Sequence, residues 1–449
     1  MCSLSKEILV KKNFIIIILS IILILMLGVL LYYFYMYFYN IQNIFVKTGV
    51  VIILFFTTIV ILRYMLLLFF SILKTIQKSA DEEAKIDKID RKEYKKVTII
   101  VPAYNEEVVI KKSLLSLLEQ TYPNLEIIVV DDGSKDRTYI EAKRLEFIKG
   151  NRDLKVYRKK NSGKANAINF GIERATGELI MAVDADSILD KNAVLLMARY
   201  FDDDEIAAVA GSVYVSNQNN LLTKLQALEY IEGLNMVRNG QAFLKLVNII
   251  PGPIGMFRKS ALIDVGLYDD DTFAEDCDVT LKLISKGYKI EFESDAVAYT
   301  EAPEHLLDLI KQRYRWTRGI LQAIRKHKHM LWHFKKAPSV SLVLWYMLFE
   351  ATFWPFMDIW ANIFMIYLAI VSGTSIFLFF WWSMFTILDM AGALYCILIT
   401  GERLSLVFYG VYYRLFFIMI INIAKILSTI EEWFGLEMSW GKLDRKGNL

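Results

Sequence analysis

The chain has 449 residues, with 52 Lys and Arg against 49 Asp and Glu, and this near balance excludes a nucleic-acid-binding arm or an acidic tail as its main theme. Its 55% hydrophobic content and mean hydropathy of +0.36 exceed those of an ordinary soluble domain while 22% charged residues is nearly normal, a mixture expected of a membrane protein carrying a soluble domain. Three cysteines, Cys2, Cys277 and Cys396, stand too far apart for a disulfide framework or a zinc site and are expected to be small buried apolar residues.

In chain order, Phe14–Tyr39 is an uncharged apolar run longer than the roughly 20 residues that cross a hydrocarbon core. It ends in aromatic residues suited to an interfacial belt, so it is expected to be a retained transmembrane helix and not a cleaved leader. Thr48–Leu73 is a second expected span, interrupted by Arg63, which either snorkels or faces other helices or a polar conduit. Residues 1–73 therefore hold two spans. Residues 74–96 flip to eight basic and six acidic side chains and read as a solvated linker. The loop between the two spans has one Lys, so the gathering of Lys and Arg after the second span places the linker and the domain that follows in the cytoplasm.

Residues 97–305 have the composition of a soluble domain, and 306–352 form a basic segment with interfacial helices. Lys311–Lys336 contains nine Lys or Arg and no acid, and Arg325–Lys336 is expected to lie on anionic lipid headgroups. His327 and His329, two apart, point to different helix faces and are not expected to bind metal. Within 353–435, spans are expected near Phe353–Val371, Ile376–Leu398 and Leu404–Ile430, about three in all. Ser339–Trp354 is expected at the interface because Glu350 and Pro355 disfavour one uninterrupted helix. The tail 436–449 is basic although five spans would leave it outside; either it does lie outside, or the last segment is broken near Arg414.

Inside 97–305, short β-rich runs alternate with helical patterns: VTIIVPAY, VIKKSLLSLLEQ, LEIIVVDD, a charged helix, LKVYRKK, ANAINFGIERA, then ELIMAVDAD. Alternation of this kind predicts an α/β domain on a mainly parallel sheet, whose ligands bind at the carboxyl ends of the strands. Polar residues fall there: Asn105 and Glu106 after the first strand, Asp131 and Asp132 at the end of the second, Asp184 and Asp186 after the fourth. Neither GxGxxG nor GxxxxGK[ST] occurs, which disfavours a dinucleotide-dependent dehydrogenase and a P-loop ATPase. Asp184-Ala-Asp186 is a spacing that presents carboxylates to one divalent cation, which binds through them and substrate phosphates together. Gly252 and Gly255 in PGPIGMFR mark a turn that a sugar can approach closely.

The motifs VPAYNEE (Val101–Glu107), VVDDGS (Val129–Ser134), NSGKANAIN (Asn161–Asn169), VDADS (Val183–Ser187), AED (Ala274–Asp276) and QRYRW (Gln312–Trp316) stand in the order found in processive family 2 glycosyltransferases, which this chain resembles. That family includes synthases of cellulose and related β-glucans, chitin, poly-N-acetylglucosamine and hyaluronan. The resemblance implies a Rossmann-like GT-A fold between transmembrane helices and a UDP-sugar donor, UDP-glucose or UDP-N-acetylglucosamine. It also implies Mg2+ or Mn2+, and an inverting reaction that elongates a β-linked glycan. It places Ala103, Asn105, Glu106, Asp131, Asp132, Lys164 and Asp184 at the donor, with Asp131 or Asp132 touching uridine, and Asp186 helped by Asp184 at the metal. Asp276 becomes the general base, flanked by Glu275, with Asp278 its competitor. Gln312 and Arg315 lie near the diphosphate, and Trp316 becomes the platform for the terminal sugar, with Glu229 and Tyr230 bordering the acceptor path beside Gln226. Ala274 departs from the Thr common at that position, which puts only fine positioning in doubt.

Three functions follow as expectations: a polysaccharide synthase that exports its product, a non-processive transferase making a glycolipid, and a non-catalytic membrane partner that binds glycan. The partners expected are the donor, the growing glycan and the lipid bilayer, with no nucleic acid and with accessory or export subunits left open. The sequence ends soon after Trp440, so no appended cyclic-dinucleotide-binding module is expected.

Overall fold

The computed structural model describes residues 43–86, 94–146, 153–373 and 375–436, with a few positions between 25 and 36. The expected span Phe14–Tyr39 lies almost wholly outside the described residues, as does the tail from residue 437.

Among the described residues, eight strands form the domain: β1 (Val97–Ala103), β2 (Leu125–Asp131), β3 (Asp153–Arg158), β4 (Leu179–Ala182), β5 (Ser187–Leu189), β6 (Ile206–Val215), β7 (Gly255–Arg258) and β8 (Lys289–Thr300). They make one sheet in the order β3-β2-β1-β4-β7-β6-β8-β5. The first four are mutually parallel. Beyond them β7 runs antiparallel to both neighbours, β6 pairs parallel with β8, and β5 closes the edge antiparallel to β8. The sheet is mixed and mostly parallel, as expected, with the antiparallel pairings at β7 and β5.

Continuous apolar strands suit a sheet covered on both faces. Ile99, Val101, Ile127 and Val129 enter one buried cluster while their chain neighbours Ile100, Ile128 and Val130 enter the other, as the two-residue repeat of a strand requires. Strand order reverses at β1, with β2 on one side and β4 on the other. Loops leaving the carboxyl ends of β1 and β4 diverge there and open a crevice.

Among the described residues, four helical segments are long and apolar enough to cross a membrane: Ile44–Ser79, Pro338–Val371, Leu378–Thr400 and Leu404–Trp433. The first belongs to one helix, Ile44–Ile86, that runs on into the stretch expected as solvated linker. The reason is electrostatic. Buried Lys74 lies 2.7 Å from Glu291 of β8, and Lys78 reaches Glu293 and, at 2.8 Å, Asp295. A carboxylate as enclosed as Glu291 requires a counter-ion, so the helix stays folded to supply it. Ser339–Trp354, expected at the interface, instead begins a single apolar path. Pro338–Leu348 passes through a wide helical turn, Phe349–Phe353, into Trp354–Ser372; the wide turn lies directly before Pro355, and the Glu350 carbonyl accepts from Lys425 Nζ at 3.5 Å. Arg63 faces other helices: it pairs with Glu350 and lies 4.9 Å from the Trp354 ring centroid.

Candidate active site

The loop after β1 is held by hydrogen bonds to the loop after β2. Asn105 takes a left-handed backbone (φ 54°) that asparagine tolerates. Its N–H donates to Ser134 Oγ at 2.9 Å and its Oδ1 accepts from the Lys135 N–H at 2.8 Å. Glu106 N–H donates to Thr138 Oγ1 at 2.7 Å. Ala103 ends β1, buried beneath both loops.

The acidic pair after β2 turns inward. Asp131 is enclosed and lies 3.1 Å from Arg158 Nε. Asp132 accepts from the N–H groups of Ser162 (3.1 Å) and Gly163 (2.8 Å) and from Lys159 Nζ (2.7 Å). Gly163 has φ 94°, a conformation that favours glycine, and immediately precedes the helix Lys164–Arg174. Asp132 therefore fixes the start of that helix and with it Lys164.

Lys164 bridges two motifs far apart in sequence: its Nζ lies 2.6 Å from Asp184 Oδ1 and 2.8 Å from Glu275 Oε1. These two carboxylates and Asp276 hold its ammonium well above the usual lysine range against the opposing effect of burial. A Cβ on Gly252 would come within 2.8 Å of Lys164 Nζ and 2.9 Å of Asp184 Oδ2, so the PGP turn closes directly over the pair. Pro102, Asp184, Gly252, Tyr268, Glu275 and Asp276 line one small pocket with Lys164. Asp186 is buried one step deeper, its Oδ1 accepting from Ser187 Oγ at 3.3 Å.

Asp276 lies in the first turn of the helix Glu275–Ser285. Burial, with the neighbouring Glu275, raises its carboxyl to about 6 even though Lys164 pulls the other way. Asp278, the expected competitor, faces elsewhere: it is fully buried, 2.9 Å from Lys326 Nζ and 2.9 Å from His327 Nε2. Asp269 and Asp271 complete a group of three carboxylates that resembles a cation site. Lys326 Nζ already lies 2.5 Å from Asp269 and 2.8 Å from Asp271, so this group is an ion-paired clasp.

The clasp joins the loop before Asp276 to the amphipathic helix Leu306–Lys326, which carries Gln312, Arg315 and Trp316. Along the same helix, a Cβ on Gly319 would meet Ala274 Cβ at 2.6 Å, and Gln322 Oε1 accepts from the Phe273 N–H at 3.1 Å. The helix therefore seats directly on the AED turn. Trp316, 37% exposed, tilts against Tyr230 with ring centroids 6.4 Å apart. Behind it Arg313 is buried, 2.5 Å from Glu229 Oε2 and 4.3 Å from the Trp316 ring centroid, and it also donates to Gln312 Oε1 at 2.5 Å. Gln226 is buried and donates to the Pro303 carbonyl at 2.8 Å.

Sequence reading missed Arg313, Lys326 and Arg238. Arg238 is buried, and burial brings its pKa down to about 10 although Asp276 and Tyr230 favour its charge. Its Nη1 is buried without a hydrogen-bond partner. A basic residue on a helix carries no motif; only the fold brings Arg238 to the acid. Asp184 and Asp276 thus share one crevice with Lys164 and Glu275, while Asp131, Asp132 and Gln226 are turned into the framework around it.

Residues 98–266 match the family described as glycosyl transferase family 2. The chain carries a family 2 glycosyltransferase domain. Relatives named poly-beta-1,6-N-acetyl-D-glucosamine synthase are similar to it: one from Staphylococcus aureus (strain COL) is 38% identical over 50% of this chain and 54% of its own length. Another, from Staphylococcus epidermidis, is 34% identical over 57% of this chain and 61% of its own. The chain therefore spans little more than half the length of these curated relatives. A mannosyltransferase from Pyrobaculum calidifontis, solved in complex with GDP-Man and Mn2+, superposes with a TM-score of 0.57 at 20% identity, covering 83% of this chain and 100% of that one. That likeness identifies the glycosyltransferase domain as GT-A-like.

Proposed function

We propose that the protein is a multi-pass membrane enzyme, its glycosyltransferase domain facing the cytoplasm, that elongates and exports a β-linked N-acetylglucosamine polymer from UDP-N-acetylglucosamine. One observation carries the reading: a half-buried carboxylate with a raised pKa, Asp276, shares a crevice with Asp184 and Lys164 and is seated against the helix that presents Trp316. The names of the relatives favour N-acetylglucosamine over glucose.

In this mechanism the terminal sugar stacks on Trp316 and its free hydroxyl points at Asp276. Asp276 takes the hydroxyl proton as the oxygen bonds to the anomeric carbon of the donor. The bond from that carbon to the diphosphate breaks on the opposite face, so configuration inverts and UDP leaves with the electron pair. Lys164 and Arg315 supply positive charge to the departing diphosphate. Asp184 is paired with Lys164, so a divalent ion held by Asp184 and Asp186 would take the place of that ammonium, which would then be free to meet the diphosphate. Mg2+ or Mn2+ held there would neutralise part of the diphosphate charge.

The test is UDP release by the purified full chain with Mg2+ or Mn2+, comparing UDP-N-acetylglucosamine, UDP-glucose and UDP-glucuronate. Turnover with UDP-N-acetylglucosamine is expected. Preference for another donor would overturn the sugar assignment, and no turnover with any would overturn the enzymatic reading of the chain.

A further inference from the structure

The last apolar segment, Leu404–Trp433, has the length and hydropathy of a span, but both of its ends lie against the domain or the amphipathic helix Leu306–Lys326, while its middle meets Asp389 and Asp358 of two spans. Its start lies against the glycosyltransferase domain, where Lys224 Nζ donates to Tyr409 OH at 3.3 Å and sits 5.4 Å from that ring's centroid. The chain then bends through a wide turn at Tyr413–Phe417, where Arg414 grips Asp389 with two hydrogen bonds of 2.7 Å. From there the helix Ile418–Trp433 runs beside Leu306–Lys326 in the same direction. Phe417 and Ile421 pack with Leu225 and Leu309 near its beginning. Near its end Tyr314 donates to Glu431, Arg318 Nε lies 2.9 Å from Glu432, and Arg318 Nη2 donates to the Leu436 carbonyl at 2.7 Å. A helix alongside a charged partner over that partner's first four turns lies at the depth of that partner, which carries Lys311, Arg315 and Arg325 and is unsuited to hydrocarbon.

Its two faces differ. Asn422, Ser428, Thr429 and Glu432 are buried, whereas Ile423, Leu427, Ile430 and Phe434 are exposed at the spacing of one helical stripe. Exposed Trp433 stands at its end, and exposed Trp332 lies 5.0 Å from Trp345 where the Pro338–Val371 span begins. Apolar on one face and anchored to the catalytic domain on the other, this is the design of a helix lying in one leaflet.

We propose that Leu404–Trp433 does not cross the membrane. It binds the lipid surface through Ile423, Leu427, Ile430 and Phe434 and braces the Trp316-bearing helix from below, leaving the carboxyl terminus on the same side as the glycosyltransferase domain. The proposal is independent of which sugar is transferred.

The experiment uses the full-length protein in membrane vesicles, with native cysteines replaced by alanine and single cysteines introduced by Asn448→Cys, by Asp204→Cys on the exposed domain surface, and by Ser375→Cys in the turn between two spans. A membrane-impermeant maleimide is applied to vesicles of each orientation. The Asn448→Cys variant is expected to react in the same vesicles as Asp204→Cys and in the opposite ones from Ser375→Cys. Reaction together with Ser375→Cys would overturn the proposal. Carboxyl-terminal alkaline phosphatase and fluorescent-protein fusions give a second reading that needs no cysteine replacement: fluorescence without phosphatase activity agrees with a terminus beside the domain, and phosphatase activity contradicts it.

Discussion

Asp276 makes the sharpest commitments. Because folding raises its pKa from the ordinary 3.8 to about 6, its protonated form is the one the fold prefers. Its contribution to stability is therefore greatest in acid and is lost as pH rises through about 6. Asp276→Asn should abolish turnover, a loss on the order of 10²–10⁴-fold for a general base, without lowering the melting temperature at neutral pH. Wild-type activity should rise with pH through the same region, since only the carboxylate accepts the hydroxyl proton. Removing the Arg238 charge with Arg238→Met should move that acid limb to higher pH, because a nearby cation favours the carboxylate; an unmoved limb would show that Arg238 does not act on Asp276.

At the scale of elements, the contact between the Trp316 helix and the AED turn has no slack. Gly319→Ala would drive a methyl into Ala274 and the Phe273 backbone, shifting Trp316, the proposed sugar platform, relative to Asp276, the proposed base. A displacement of about 1 Å is expected to cost on the order of 10²-fold in turnover while circular dichroism and expression stay near wild type. Lys326→Met leaves Asp278 enclosed with only His327 as counter-ion, and a loss of roughly 3 kcal/mol in denaturant unfolding is expected. The alternation of strands and helices, and the acids after β1, β2 and β4, were legible in sequence because strand ends and ligand crevices coincide in such sheets. The inward turn of Asp132 was not, since one carboxylate at a strand end reads alike whether it meets a ligand or the N–H groups of residues 162 and 163, about 30 positions away. Nor was Lys326, whose basic neighbourhood suggested lipid headgroups until the fold brought three carboxylates around it. The helix reaching Ile86 escaped notice for the same reason: its charges look solvated until Glu291 and Glu293 appear opposite them.

For the whole molecule, the glycosyltransferase domain is tied to the membrane segments from two directions, by Lys74 and Lys78 on β8 and by the carboxyl-terminal helix along the Trp316 helix. The proposed function would use such bracing to hold one glycan through repeated additions. The most direct test is the size of the product made from UDP-N-acetylglucosamine by the purified wild-type chain, read alongside Asp276→Asn and Trp316→Ala. A high-molecular-weight polymer that hexosaminidase degrades, present from the earliest time points and absent with both variants, is the predicted result. A product carrying a single added sugar, or polymer made as well by Asp276→Asn, would contradict the mechanism.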